Sequence, residues 1–117
     1  MEGYGPFLDP ARTELALARG DLAEVERILS GWTFPVRDRR DNLISRLNAL
    51  VALGRDGEIE LEAPPLIRAH TYPEPFALRA LGIARGDDAQ IGQAINRFEA
   101  LGLHWFADQT RRMAANR

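Results

Sequence analysis

The amino-acid sequence predicts an all-α domain assembled from short helix hairpins stacked side by side. Three observations predict it. Apolar residues recur three and four positions apart through most of the chain, which is the spacing of one helix face. Glycine followed by aspartate or arginine interrupts those stretches at Gly20-Asp21, Gly54-Arg55 and Gly86-Asp87, where helices should end and restart. Only the short segment 58–62 alternates polar and apolar residues as a strand would, and no second strand exists for it to pair with.

At the amino end, Asp9 can accept a bond from an orphan amide and Pro10 loses nothing at the first helical position, so a first helix is expected over Pro10–Arg19. Gly20 closes it in a left-handed conformation. Asp21 then caps a second helix, with Glu24 placed to complete a capping box. That helix carries Leu22, Val25, Ile28 and Leu29 on one stripe and stops at Gly31. Trp32-Thr33-Phe34-Pro35 forms a linker whose aromatic rings plug the gap between hairpins.

A third helix from Arg37 to Leu53 turns Leu43, Leu47 and Leu50 toward the core, flanked by Ile44 and Val51. After the turn Gly54-Arg55-Asp56-Gly57, the segment Glu58-Ile59-Glu60-Leu61-Glu62 reads as a helix starting near Glu58. It is kinked or restarted at Pro64-Pro65 and ends near Ala69. Tyr72-Pro73-Glu74-Pro75 opens a fifth helix reaching Ala84. Phe76, Ala77, Ala80, Leu81, Ile83 and Ala84 make it apolar around most of its circumference, which predicts the central, most buried position. Gly86-Asp87 with Gln90 repeats the earlier turn and cap. A sixth helix follows through Ile91, Ala94, Ile95, Phe98 and Leu101 to Gly102, and a terminal helix covers about 103–115.

The 117 residues fit one domain with one core, and 45% hydrophobic against 27% charged residues suits a folded chain. A formal net charge of −2 disfavours a domain built to hold a phosphate backbone. All 15 basic residues are Arg, which removes lysine Schiff bases and phosphate-loop lysines, and the absence of Cys removes thiolate chemistry and disulfides. Ser30 and Ser45 lack a Gly-x-Ser-x-Gly elbow, and the glycines are scattered singly through the chain instead of forming a phosphate loop. His70 and His104 stand in different segments and neither has a second His at helical spacing, so no metal and no cofactor is expected. Glu58 and Glu62 share a helix face while Glu60 points elsewhere, which reads as a solvated acidic surface. The run Arg37-Asp38-Arg39-Arg40-Asp41 interleaves its charges as a salt-bridged helix start does. There is no leader-like pattern over Met1–Pro10 and no run of apolar residues long enough to span a bilayer. A cytoplasmic location without a membrane partner is therefore expected.

Arg19-Gly20-Asp21-Leu22-Ala23-Glu24-Val25 and Arg85-Gly86-Asp87-Asp88-Ala89-Gln90-Ile91 match in turn, cap and first buried position. Gly54 falls 34 residues after Gly20 and 32 before Gly86. With these residues the chain resembles a short tetratricopeptide array. The resemblance implies a right-handed array of about seven helices: three antiparallel pairs, about 9–31, 37–70 and 72–102, plus the terminal helix. The Trp, Gly and Tyr usual in each first helix are missing or displaced. The stretch from Tyr72 to Gly82 and that from Phe98 to Trp105 look like the carboxyl-terminal repeat region of large bacterial regulators. In those proteins a cyclase or DNA-binding output is joined to an ATPase and helical repeats. The resemblance implies a regulatory scaffold without chemistry of its own.

A binding face is expected where the first helices of the pairs line one side of the array. Opposite the core stripe of the third helix stand Asp41, Ser45, Asn48 and Ala52; the fifth helix offers Leu78, Gly82 and Arg85, with Arg79 beside them. A ligand could lay apolar atoms on Leu78 while its acidic group meets an Arg, unless Arg79 is already paired with a carboxylate such as Glu74. Trp105, if exposed, would anchor a partner on the terminal helix. The expected function is binding of a peptide or helix from a partner protein, without catalysis. The alternative is a structural or oligomerisation domain derived from a larger multidomain signalling regulator, with the terminal helix as its dimer contact.

Overall fold

A computed structural model describes residues 10–30 and 40–116, with side chains from Arg12 in the first stretch and from Leu43 in the second. The expected Asp9 cap, the Gly31 stop, the Trp32–Pro35 linker and Arg37-Asp38-Arg39 lie outside the described residues. Among those residues the chain is all-helical, with seven α-helices and no strand. These are α1 (Pro10–Arg19), α2 (Leu22–Ser30), α3 (Arg40–Leu53), α4 (Asp56–Glu62), α5 (Pro73–Arg85), α6 (Asp88–Ala100) and α7 (His104–Ala115).

The turns follow from glycine. Gly20, Gly54, Gly86 and Gly102 have φ between +64° and +77°, a region costly for any side chain with a Cβ. In each case the next amide reaches back five residues: Asp21 to the Ala16 carbonyl at 3.0 Å, Arg55 to Leu50 at 2.9 Å, Asp87 to Gly82 at 2.8 Å and Leu103 to Phe98 at 2.8 Å. This double closure satisfies the last carbonyls of the helix and aims the chain back along it. The Asp21 and Asp87 carboxylates accept from the amides of Glu24 and Gln90, both at 3.1 Å. The reciprocal half of the expected capping boxes is not made. Glu24 accepts from Arg12 at 3.2 Å and pairs with Arg27, and the Gln90 side chain accepts from Arg85, because guanidinium groups within reach bind those oxygens more strongly than a backbone amide does.

The segment 56–62 is helical despite its alternation. Ile59 is buried while Leu61 is 77% exposed. Arg46 of α3, itself buried, holds the Glu62 carboxylate through Nε at 2.7 Å and Nη2 at 3.0 Å and lies 3.7 Å from Glu58. Arg85 of α5 grips Glu60 in the same bidentate way, at 2.7 and 2.8 Å, and holds its carboxyl below the usual range. At Pro64-Pro65 the α-helix gives way to a 3-10 turn, Pro64–Leu66, which ends short of the expected Ala69 because proline cannot donate the next α-helical bonds.

α5 is the buried centre, with every residue from Pro73 to Gly82 shielded from solvent. It packs against α3 and α4 on one side and α6 on the other, while α1 packs on α3. α2 rests on α1 and α3, α4 on α3 and α5, and α6 on α5 and α7, so each second helix touches the first helix of its own hairpin and that of the next. The close seam between α5 and α6 runs through Gly82, where an added Cβ would stand 2.7 Å from Ile91 Cγ1 and 3.0 Å from the Ile91 amide nitrogen. Leu22 and Leu101, expected on buried stripes, are 47% and 40% exposed. Leu22 opens α2 and Leu101 follows the last residue of α6, so both project past the ends of the neighbouring helices.

Candidate binding groove

The first helix of each hairpin and the terminal helix line a groove of about 640 Å³. α1 contributes Glu14, Leu17 and Ala18; α3 contributes Ile44, Ser45, Asn48, Val51 and Ala52. Tyr72 and, on α5, Phe76 and Arg79 form the third wall, and α7 adds Trp105, Phe106, Gln109 and Met113. The side chains are spaced i, i+3 or i+4 on each helix, so four parallel stripes face one space.

The aromatic residues form one cluster. Phe76 meets Phe98 and Phe106 edge to face at 4.9 Å, Phe98 stacks on Phe106 at 5.6 Å, and Trp105 stands perpendicular to Phe106 at 5.1 Å. Phe106 is half-buried in that cluster, whereas Trp105 is 62% exposed.

Across the groove floor runs a polar chain through all four helices. Glu14 Oε2 accepts from Ser45 Oγ and from Asn48 Nδ2, both at 3.2 Å. Asn48 Oδ1 accepts from Arg79 Nη2 at 2.9 Å, and Arg79 Nη1 donates to Gln109 Oε1 at 2.8 Å and Thr110 Oγ1 at 3.3 Å. Arg79 is 3% exposed, and its guanidinium lies over the faces of Phe76 and Phe98, 5.4 and 5.5 Å from the centroids. Burial pushes its pKa down to about 10, against the attraction of Glu14, which acts the other way. Among the described residues no carboxylate is within ion-pair distance of it; the alternative of pairing with Glu74 is not realised, because Glu74 is itself buried and pairs with Arg97 at 3.3 Å.

Of the residues singled out in the sequence, the structure brings Ser45, Asn48, Arg79 and Trp105 together on the groove. Leu78 lies in the core and Arg85 is bound to Glu60 outside the groove, because the stripe Leu78-Gly82-Arg85 turns toward α4 and α6 while Tyr72-Phe76-Arg79 faces the groove. The backbone of Asp41 begins α3, and its side chain lies outside the described residues. Sequence reasoning missed Glu14, Phe76, Gln109 and Met113. The last two could have been found, since they follow Trp105 at i+4 and i+8 on the terminal helix.

His70, in a left-handed backbone conformation, and His104 are both exposed, and no group of three or more His, Asp or Glu among the described residues is arranged to hold a metal. None of the described helices is long and apolar enough to cross a membrane. Compared with known proteins, the chain matches no family model, no curated protein and no solved structure.

Proposed function

We propose that this chain is a non-catalytic interaction module, a tetratricopeptide-like helical-repeat array in the cytoplasm, whose groove receives a peptide or helix of a partner protein. The observation that carries this reading is the convergence of α1, α3, α5 and α7 on one groove, with the second helices packed behind them. Its volume falls in the range of sites that hold ligands, and its walls combine aromatic and aliphatic surface with a few polar groups, the composition of a recognition site. The resemblance of the sequence to the repeat regions of bacterial regulators supports a scaffolding or regulatory use.

The test is partner capture by crosslinking from a cell extract, comparing the wild type with Ala52→Arg, which fills the groove from an exposed position, and with Trp105→Ala. Both variants should keep their helical circular dichroism and lose the captured partner. Undiminished capture by folded Ala52→Arg removes the groove from consideration. A second reading, assembly of copies through α7, is favoured by the exposure of Trp105 alone, since an exposed aromatic is the usual centre of an interface. Light scattering separates the two: a dimer that Trp105→Ala converts to monomer supports assembly.

A further inference from the structure

The groove floor holds a buried cation whose hydrogen-bonding capacity is incompletely used. A guanidinium carries five N–H donors. Arg79 spends three, two from Nη1 on Gln109 and Thr110 and one from Nη2 on Asn48. The Nε–H and the second Nη2–H meet no acceptor among the described residues. The same chain uses that pair of nitrogens twice elsewhere to clasp a carboxylate in two parallel bonds, at Arg46 with Glu62 and at Arg85 with Glu60. Arg79 is held in place by neutral partners instead, with its charge not neutralised by direct contact among the described residues.

We infer that the occupant of the groove is an internal segment of a partner protein carrying an Asp or Glu side chain that pairs with Arg79, flanked by a bulky apolar residue seated against Trp105 and Phe106. This rests on the groove being a peptide site. Three considerations select the occupant. A buried guanidinium lacking a counter-charge gains most from an anion delivered in the plane of its free donors. The aromatic pair beside it, on the next helix, supplies apolar surface that an inorganic anion would leave uncovered. The lining continues past Arg79 in both directions, to Leu17 and Ile44 on one side and to Gln109 and Met113 on the other. A segment passing through covers it, whereas a chain end stopping at Arg79 would not. Glu14 bounds the acidic preference, because its carboxylate, one amide away from Arg79 through Asn48, repels a second negative group at the α1 end.

The experiment is a selection of random displayed peptides on the intact chain, followed by affinity measurement of the recovered peptides in solution. Binders should share one acidic residue beside a Trp, Phe, Leu or Met, and should be displaced by Ala52→Arg. Replacing the peptide's acidic residue by its amide should weaken binding about tenfold or more, as removal of one member of a desolvated charge pair does. Amidating the peptide's carboxyl terminus should change nothing. On the protein side Arg79→Gln should cause a similar loss. Groove-dependent peptides indifferent to the acid-to-amide swap would overturn the inference and leave the interaction module standing. Dependence on the terminal carboxylate would overturn it as well. Recovery of no peptide, or of peptides insensitive to Ala52→Arg, would overturn both readings together. The swap on the peptide keeps the result decisive even if Arg79→Gln does not fold.

Discussion

At the scale of single residues, Arg79 is a buried ion placed among aromatic rings with amides and a hydroxyl for company. Replacing Arg79 by an apolar side chain of similar length removes the desolvation cost of a buried ion, and the Asn48 and Gln109 oxygens that it leaves lie on the groove, where water can reach them. Arg79→Met is therefore expected to leave the thermal midpoint unchanged or raised while binding is lost, and a stability loss beyond about 2 kcal/mol would show that the polar chain is structural. The pH dependence has a definite sign. The folded-state pKa lies near 10, below the ordinary arginine value, so above pH 10 the unfolded chain binds the proton more tightly than the folded one. The wild type should gain stability relative to Arg79→Met as pH rises past about 10. A chemical-denaturation series at increasing pH reads this directly, and a relative loss there contradicts the burial of the charge. The capacity of Arg79 to pair with an acidic group was readable from the residue type. Its environment was not, because Glu74 at i−5 looked like a partner and only the packing of α6 shows that Arg97 takes it.

At the scale of helices, the two glycines in the interiors of α5 and α6 should respond in opposite directions to the same change. Gly92 has open space where a Cβ would be, so Gly92→Ala should stabilise by about 0.5–1 kcal/mol through helix propensity. At Gly82 the new methyl would strike Ile91, including its backbone nitrogen, and Gly82→Ala should cost about 1–3 kcal/mol despite the same gain in propensity. Urea denaturation of the two variants checks both signs. Asp87→Ala, which removes the bond to the Gln90 amide, should cost about 1 kcal/mol, with thermal unfolding as the readout. Most helix boundaries were legible because the Gly-Asp turns are decided within a few residues of chain. The strand-like look of 58–62 was resolved only by the absence of a partner strand and then by Arg46, whose guanidinium meets Glu58 and Glu62 on one side of the helix, and Arg85, which holds Glu60. The groove face of α3 could be read from its core stripe. On α5, apolar nearly all round, a helical-periodicity argument had no polar side to orient it, and the stripe chosen was one residue out of phase with the observed one.

At the scale of the whole molecule, α1 and α2 pack on each other and on α3, while α5 is enclosed by α3, α4 and α6, so stability should be graded along the chain and not shared evenly. The amides of α5, enclosed by α3, α4 and α6, are expected to exchange with solvent only through global unfolding, and those of α1 and α2 through a cheaper local opening. Hydrogen exchange resolved by segment checks this; uniform protection from α1 to α7 would mean a single cooperative core. The side chain of Asn48 gives the molecule a further property. Its oxygen faces the guanidinium on α5 and its nitrogen faces the carboxylate on α1, so it cannot turn over without setting like poles against each other at both ends. It works as a key that fits one way round, fixing how far apart two non-adjacent walls stand. The width of the groove is thereby set by the fold itself, and on the proposed reading a partner would find a doorway already cut to size, with little of the freedom of the walls left to surrender.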